Sequence, residues 1–438
     1  MFARFIIAAM VSAALTNNAL AAQSTAQDYL PLKLSTNLNL TTDWARIRAD
    51  FNDKGVSLEL THKSDILSNI SGGIKRGAAW MGHTEAGVTL DMEKLLGWEA
   101  TSAYVLFHSA LGSKFNRDYA GAFVGVDNIE TSVNTAQFYQ AWIQKNFAKD
   151  SLSVLAGLYS VDSEFYVTDS SSLFMQPPYG MANDMAQGGL IGPPIFPLGA
   201  LALRVKFTSP NKNYYAQYAL TDGVPGDPAN PHGTHIQLNK GDGTLSIMEL
   251  GLTPQEAAPP AGVSEDPLRE ATESFNKTAI GFWHYTSQFD DLVDPSVRRP
   301  DQGLYFLAER NLMTKKDNPT QGLAGFFRIG TASRDLHQAD WTGSIGLRYH
   351  GLIAGRDDDI AGIAITYNHA SDKFLQRNAG AASNQTQVEA TYRAQLNSWF
   401  ALQPTVQFIA NPNMKLDPGG LPALHNVWII DARAEVNL

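Results

Sequence analysis

Cysteine is absent from this chain of 438 residues, which excludes disulfide staples, thiolate metal sites and a cysteine nucleophile. Charge is scarce. Only 17% of residues are Asp, Glu, Lys or Arg, against about 25% in an ordinary soluble domain. The 33 Lys and Arg are outnumbered by 43 Asp and Glu, giving a net charge of −10 with no basic block. Such a chain is unsuited to gripping phosphate backbones, and no nucleic-acid partner is expected. Catalytic signatures are missing too: there is no G-x-x-x-x-G-K-[ST], no H-E-x-x-H and no G-x-S-x-G. After the first 22 residues no apolar run approaches the ~20 residues of a membrane-spanning helix. Disorder is excluded by a hydrophobic content of 44%, enough to bury a large core.

What the first 22 residues do contain is an export signal. Arg4 is followed by a mostly apolar run from Phe5 to Leu15 and by the small-x-small triplet Ala19-Leu20-Ala21. This pattern predicts a signal peptide over residues 1–22, cleaved after Ala21 or Ala22. Loss of Arg4 takes the net charge from −10 to −11. An exported chain without spanning helices can cross a membrane only as a β-barrel.

Period-two alternation runs through the chain. Leu30, Leu32, Leu34, Leu38 and Leu40 alternate with polar residues, and a short helix follows, with Asp43 as cap, Trp44, Ile47 and Phe51 on one face, and Gly55 as stop. Beyond it, Val56, Leu58 and Leu60 oppose Ser57, Glu59 and Thr61; Leu203, Val205 and Phe207 oppose Arg204 and Lys206; Val388, Ala390 and Tyr392 oppose Glu389, Thr391 and Arg393; and Trp428, Ile430, Ala432 and Ala434 oppose Asp431, Arg433 and Glu435. The longest such segments reach about 9–11 residues, the length of a tilted membrane strand. The residues predict an all-β, transmembrane, antiparallel up-and-down barrel of about 16 strands with a short N-terminal periplasmic helix: a signal peptide over 1–22, an N-terminal segment over 23–55 and a barrel over 56–438. An exported soluble all-β protein, either a carbohydrate-binding sandwich or a glycosidase, alternates similarly and is the competing reading.

Three interruptions read as long loops: Ser170 to Ala200, Gly223 to Gly243, and a proline-rich stretch from Pro254 to Pro267. The first is long and Gly/Pro-rich enough to fold inward and narrow the mouth. His232 and His235 lie together without a third metal ligand, and Asp357-Asp358-Asp359 reads as a solvated turn, so neither metal nor cofactor is expected.

Several segments resemble the OprB-type carbohydrate-selective porins. Asn69-Ile70-Ser71-Gly72-Gly73, Lys75-Arg76-Gly77 and Leu95-Leu96-Gly97-Trp98 match the family's amino-terminal signature. Phe326-Phe327-Arg328-Ile329-Gly330 resembles its F-x-R-x-G strand, and Gly346 to Asp359 its G-L-x-x-x-G-L…R-x-x-D segment. Glu389-Ala390-Thr391-Tyr392 with Leu402-Gln403-Pro404, Gln407 and Asn411-Pro412 resembles its closing hairpin. The resemblance runs from about Trp44 to the end. It implies a monomeric 16-stranded barrel in the outer membrane of a Gram-negative bacterium, passing mono- or disaccharides by facilitated diffusion, with arginines and carboxylates narrowing the lumen. The chain departs from the family in ending on Leu438 rather than an aromatic residue.

A sugar is uncharged and covered in hydroxyls, so Arg donors, Glu acceptors and aromatic faces can replace its hydration. Strand parity nominates as pore-lining Glu59, Gln140, Trp142, Arg204, Glu249, Arg328, Arg348, Glu389, Arg393 and Arg433, with Arg328, Glu389 and Arg393 lying in family-like segments.

Overall fold

The computed structural model describes residues 42–254, 275–316, 318, 320–412 and 424–438. Two units are distinguished, residues 1–47 and residues 48–438. The leucine-rich alternation at residues 30–40 and the export signal fall outside the described residues.

Helix α1 (Thr42–Asp53) occupies the predicted position. It stops where Gly55 takes φ +85°, a left-handed conformation that glycine adopts without steric cost. Sixteen strands follow: β1 (Val56–Ser71), β2 (Gly77–Asp91), β3 (Thr101–Gly112), β4 (Thr135–Phe147), β5 (Leu152–Tyr159), β6 (Ala200–Thr208), β7 (Tyr214–Asp222), β8 (Thr244–Leu252), β9 (Asn276–Asp290), β10 (Arg298–Thr314), β11 (Gly322–Ala332), β12 (Ala339–His350), β13 (Ile360–Ala370), β14 (Asn384–Asn397), β15 (Phe400–Ala410) and β16 (Val427–Asn437). Each pairs antiparallel with its sequence neighbours, and β16 returns to β1, closing the barrel. Closure removes the edges, so the backbone N–H and C=O groups find partners without water.

The seam between β1 and β16 is set by register and by charge. Asp65 lies opposite Arg433, whose guanidinium meets it in a bidentate ion pair at 2.6–3.1 Å. Leu438 exchanges backbone hydrogen bonds with Leu60 (2.8 and 3.1 Å), so the terminal residue extends the ladder although its side chain is not aromatic.

Alternation is realised as inside and outside. Large apolar side chains such as Ile66, Leu203, Phe282, Leu304, Phe327, Ile345, Ile363 and Trp428 remain exposed on the outer face. Their strand neighbours Asp65, Arg204, Glu309, Arg328, Thr366, Gln407 and Asp431 are buried. A soluble protein does not display such a continuous apolar band; a lipid-facing barrel must.

The connections differ at the two ends. Residues 113–134, 160–199, 223–243 and 411–426 join strands at one end, whereas tight turns such as 148–151, 209–213 and 398–399 serve the other. The proline-rich stretch from Pro254 joins β8 to β9 at the tight-turn end, and its residues 255–274 lie outside the described residues. The aspartate triplet is a turn between β12 and β13, but it is not wholly solvated. Asp359 is buried because Arg356 (2.7 Å), the Tyr392 hydroxyl and the Gln395 N–H (2.9 Å) converge on it.

Candidate functional site

Two of the long connections fold back into the barrel. Segment 160–199 contains no strand, only single helical turns such as Val161–Ser163 and Asn183–Ala186, so many of its N–H and C=O groups need partners from elsewhere. The inner wall supplies them. Glu249 of β8 accepts the Tyr166 N–H at 2.9 Å together with the Tyr215 and Tyr305 hydroxyls at 2.5 and 2.7 Å. Glu309 of β10 accepts the Ser170 N–H and hydroxyl at 2.8 and 2.7 Å. Glu389 of β14 accepts the N–H groups of Met175 and Gln176, one on each oxygen, at 2.7 and 2.9 Å. Arg328 of β11 donates to the carbonyls of Tyr166, Tyr179 and Gly180 at 2.7–2.8 Å and of Pro178 at 3.3 Å, with its guanidinium 4.6 Å from the Tyr166 ring centre.

Apolar packing accompanies these bonds. Phe165, Tyr166 and Met185 bury against the wall residues Trp283, Tyr305 and Leu307, and Phe174 and Tyr179 against Phe326. The Tyr166 and Tyr305 rings stack at 3.9 Å. Gly330 and Gly362 leave room on the wall, since a Cβ there would strike Asp184 or Leu173.

Segment 113–134 makes the second insertion. Phe115, Ala120, Ala122 and Val126 are buried with Leu67, Met81, Ile409 and Ile429 of the wall. Gln385 accepts the Phe123 N–H (2.7 Å), Gln387 donates to the Gly125 carbonyl (3.1 Å) and Gln407 to the Val126 carbonyl (2.9 Å). The Asn128 N–H donates to the Met175 carbonyl at 2.7 Å, tying the two insertions together.

The remaining nominated residues sit as follows. Arg433 adds Asn128 (2.7 Å) and Asp127 (3.6 Å) to its seam partner. Arg204 is buried against Glu164 (2.7 Å) and Gln144 (2.6 Å). Arg348 is buried over the Phe275 ring at 4.6 Å. Gln140 accepts the Trp142 indole N–H at 3.1 Å. Trp142 and Tyr104 form a tilted aromatic pair at 5.4 Å, and the Tyr104 hydroxyl donates to Glu59, which stays exposed. Arg393 is half-buried and meets Glu435 at 3.0 Å. All ten have the inward parity assigned from the sequence. Burial divides them: Glu249, Arg328, Glu389 and Arg433 hold inserted backbone or insertion side chains, whereas Glu59, Trp142 and Arg393 keep open surface. The 113–134 insertion, its wall partners Gln385, Gln387 and Gln407, and the wall carboxylates Asp65 and Glu309 are absent from the nominated set. The period-two run Gln385, Gln387, Glu389, Thr391 marks these wall residues as sharing one face, though not the insertion that they hold.

The two loop histidines meet backbone carbonyls. His232 Nδ1 lies 2.9 Å from the Asn134 carbonyl and His235 Nε2 lies 2.8 Å from the His232 carbonyl. Among the described residues no group of three or more His, Cys, Asp or Glu is placed to hold a metal ion.

A closed barrel with charges inside, an apolar band outside and connections folded inward is the architecture of a pore, and comparison with known proteins gives it a family. Residues 75–438 match the carbohydrate-selective porin, OprB family. The chain belongs to that family. Porin B of Pseudomonas aeruginosa is 20% identical over 88% of each chain, and the putative porin QuiX of Acinetobacter baylyi is 20% identical over 91% of this chain and 92% of its own. Among solved structures, the high-pH structure of Pseudomonas putida OprB shares the fold with a TM-score of 0.75 at 18% identity, covering 90% of this chain and 97% of the other. The low-pH structure of the same protein gives a TM-score of 0.58 at 15% identity. This OprB-family chain is therefore an outer-membrane porin of the Gram-negative type whose cargo is sugar, and its fold is that of a channel. The soluble binding-protein or glycosidase reading is not favoured, because the apolar residues that alternate along the strands face outward.

Proposed function

We propose that sugars diffuse through the water-filled part of the lumen left between the inserted segments and the inner wall, and that all ten nominated residues serve this pathway in two ways. Glu59, Trp142 and Arg393, with Glu435 beside it, offer an acceptor, a ring face and a donor directly to the sugar. Gln140, Arg204, Glu249, Arg328, Arg348, Glu389 and Arg433 are buried and act by orienting neighbours or by fixing the segments that narrow the path. The observation that carries this reading is the direct bonding of buried wall charges to insertion backbone, Arg328 to four carbonyls and Glu389 to two N–H groups. Charges so deeply committed set the bore rather than slide along the solute.

Transport demands weak binding, so millimolar affinity, about −4 kcal/mol, is expected. One chain closes its own barrel, so the lumen needs no second chain; a monomeric pore is proposed because the family resemblance implies it. Residues 1–22 are proposed to be removed on export, with 23–55 on the periplasmic side and 56–438 in the membrane.

The test is a planar-bilayer titration of ion current with mono- and disaccharides. Concentration-dependent block by sugar in the wild type, weakened in Arg393→Ala, is the expected result. A current indifferent to every saccharide at molar concentration would overturn the pathway, and an Arg393→Ala curve superimposed on wild type would remove that residue from it.

A further inference from the structure

We propose that a groove on the outer face of the barrel, where β9, β10 and β11 reach the end bearing the long connections, is a binding site for a phosphorylated glycolipid of the outer leaflet. The groove encloses about 500 Å³, within the range of small-ligand sites. It arises from register. Between β9 and β10 the pairing jumps from Pro300–Gln288 to Gln302–His284, and the β10–β11 ladder begins only at Gly303–Ala332, so the sheet is notched at its upper edge. The floor of the notch is Phe282 and Leu304, both exposed on the lipid side, and its upper wall carries Thr331, Gln302, Arg299 and Arg334.

Charge distinguishes this notch from the rest of the apolar band. Three cations, Arg299, Arg334 and Lys373, stand beside two carboxylates, Asp291 and Asp335. Lys373 occupies both carboxylates, meeting Asp335 at 2.7 Å. Arg299 bonds Asp291 through Nε at 3.1 Å, and among the described residues its Nη amines make no hydrogen bond. Arg334 is exposed and has no hydrogen bond or ion pair among the described residues. Arg334, without a partner among the described residues, lines one groove with the exposed apolar side chains of Phe282 and Leu304, and that combination matches a ligand with the opposite halves, a phosphate and a hydrocarbon chain. The end with long connections is the outer one in barrels of this type, which commits the occupant to the outer leaflet.

The experiment uses the full-length protein in detergent, with native mass spectrometry as readout and a hexa-acyl, bis-phosphorylated lipid A as probe. The wild type is expected to retain lipid A, Arg334→Glu to bind it at least about five-fold more weakly, and Thr331→Trp, which fills the notch without changing charge, to lose it as well. Dephosphorylated lipid A should bind the wild type as weakly as lipid A binds Arg334→Glu. Unchanged retention in Arg334→Glu and Thr331→Trp would overturn the site. So would an equal loss in Arg76→Glu, an exposed rim arginine outside the notch, because the attraction would then be diffuse. Displacement of lipid A by millimolar inorganic phosphate alone would reassign the notch to a free anion. Heat-modifiable migration and sugar-blocked conductance retained in the variants separate a failure here from a failure of the porin reading.

Discussion

Replacing Arg328 by alanine should loosen the inserted segment without opening the barrel. The guanidinium holds four carbonyls between Tyr166 and Gly180, three of them at 2.7–2.8 Å, and it is buried. Hydrogen bonds to a charged donor contribute about 1.5–3 kcal/mol each. Those four share one cation, and water can enter the vacated space. The net effect is then nearer the ~3–5 kcal/mol of breaking one buried polar network, and about 4 kcal/mol shifts the docked-to-undocked ratio of the segment roughly a thousand-fold. None of the barrel ladder depends on these bonds, so heat-modifiable migration should survive. Single-channel conductance should rise and fluctuate, sugar block should weaken, and proteolysis should nick residues 166–180. Arg328→Lys, which keeps the charge but not the planar fork, should fall between the two. If Arg328→Ala shows wild-type conductance, noise and protease resistance together, the guanidinium is not what holds the segment and the reasoning fails.

Three other outcomes follow from the same physics. Arg433→Ala strips the β1–β16 seam of its partner for buried Asp65, and should cost ~3–5 kcal/mol, read as a lower temperature for the loss of the compact gel form; an unchanged transition would refute the seam's dependence on that pair. Phe327→Arg, mid-strand on the outer face of β11, should destabilise by about 2–4 kcal/mol in lipid vesicles, whereas a neutral effect would mean that this face does not meet acyl chains. At the rim, the hydrogen bond from Lys373, together with the Val293 and Asp294 N–H groups, holds the Asp291 carboxyl well below the usual carboxylate range. A depressed carboxylate stabilises above its unfolded value of ~3.9 and loses that contribution as pH falls below it. Amide-exchange protection over residues 293–297 should therefore stay level from pH 8 to 5 and fall only under strongly acid conditions. Asp291→Asn should lack it throughout, and an early loss near pH 6 would contradict the assignment.

Sequence by itself determined the wall. Period two fixes which side chains share a face, and a closed sheet has only two faces, so Arg204, Glu249, Arg328, Glu389 and Arg433 could be assigned inward from their apolar neighbours alone. Segment length, the shortage of charge and the order of the family-like segments set the strand number and the membrane environment. The tertiary structure decided what those inward groups touch. Parity does not report depth or partners, and Glu389 and Arg328 gain theirs from residues some 150 to 214 positions away, in a segment with no periodicity of its own. The insertion of residues 113–134 was invisible for the same reason. Its backbone is satisfied by glutamines spaced along distant strands, a match that exists only once the barrel has closed around it.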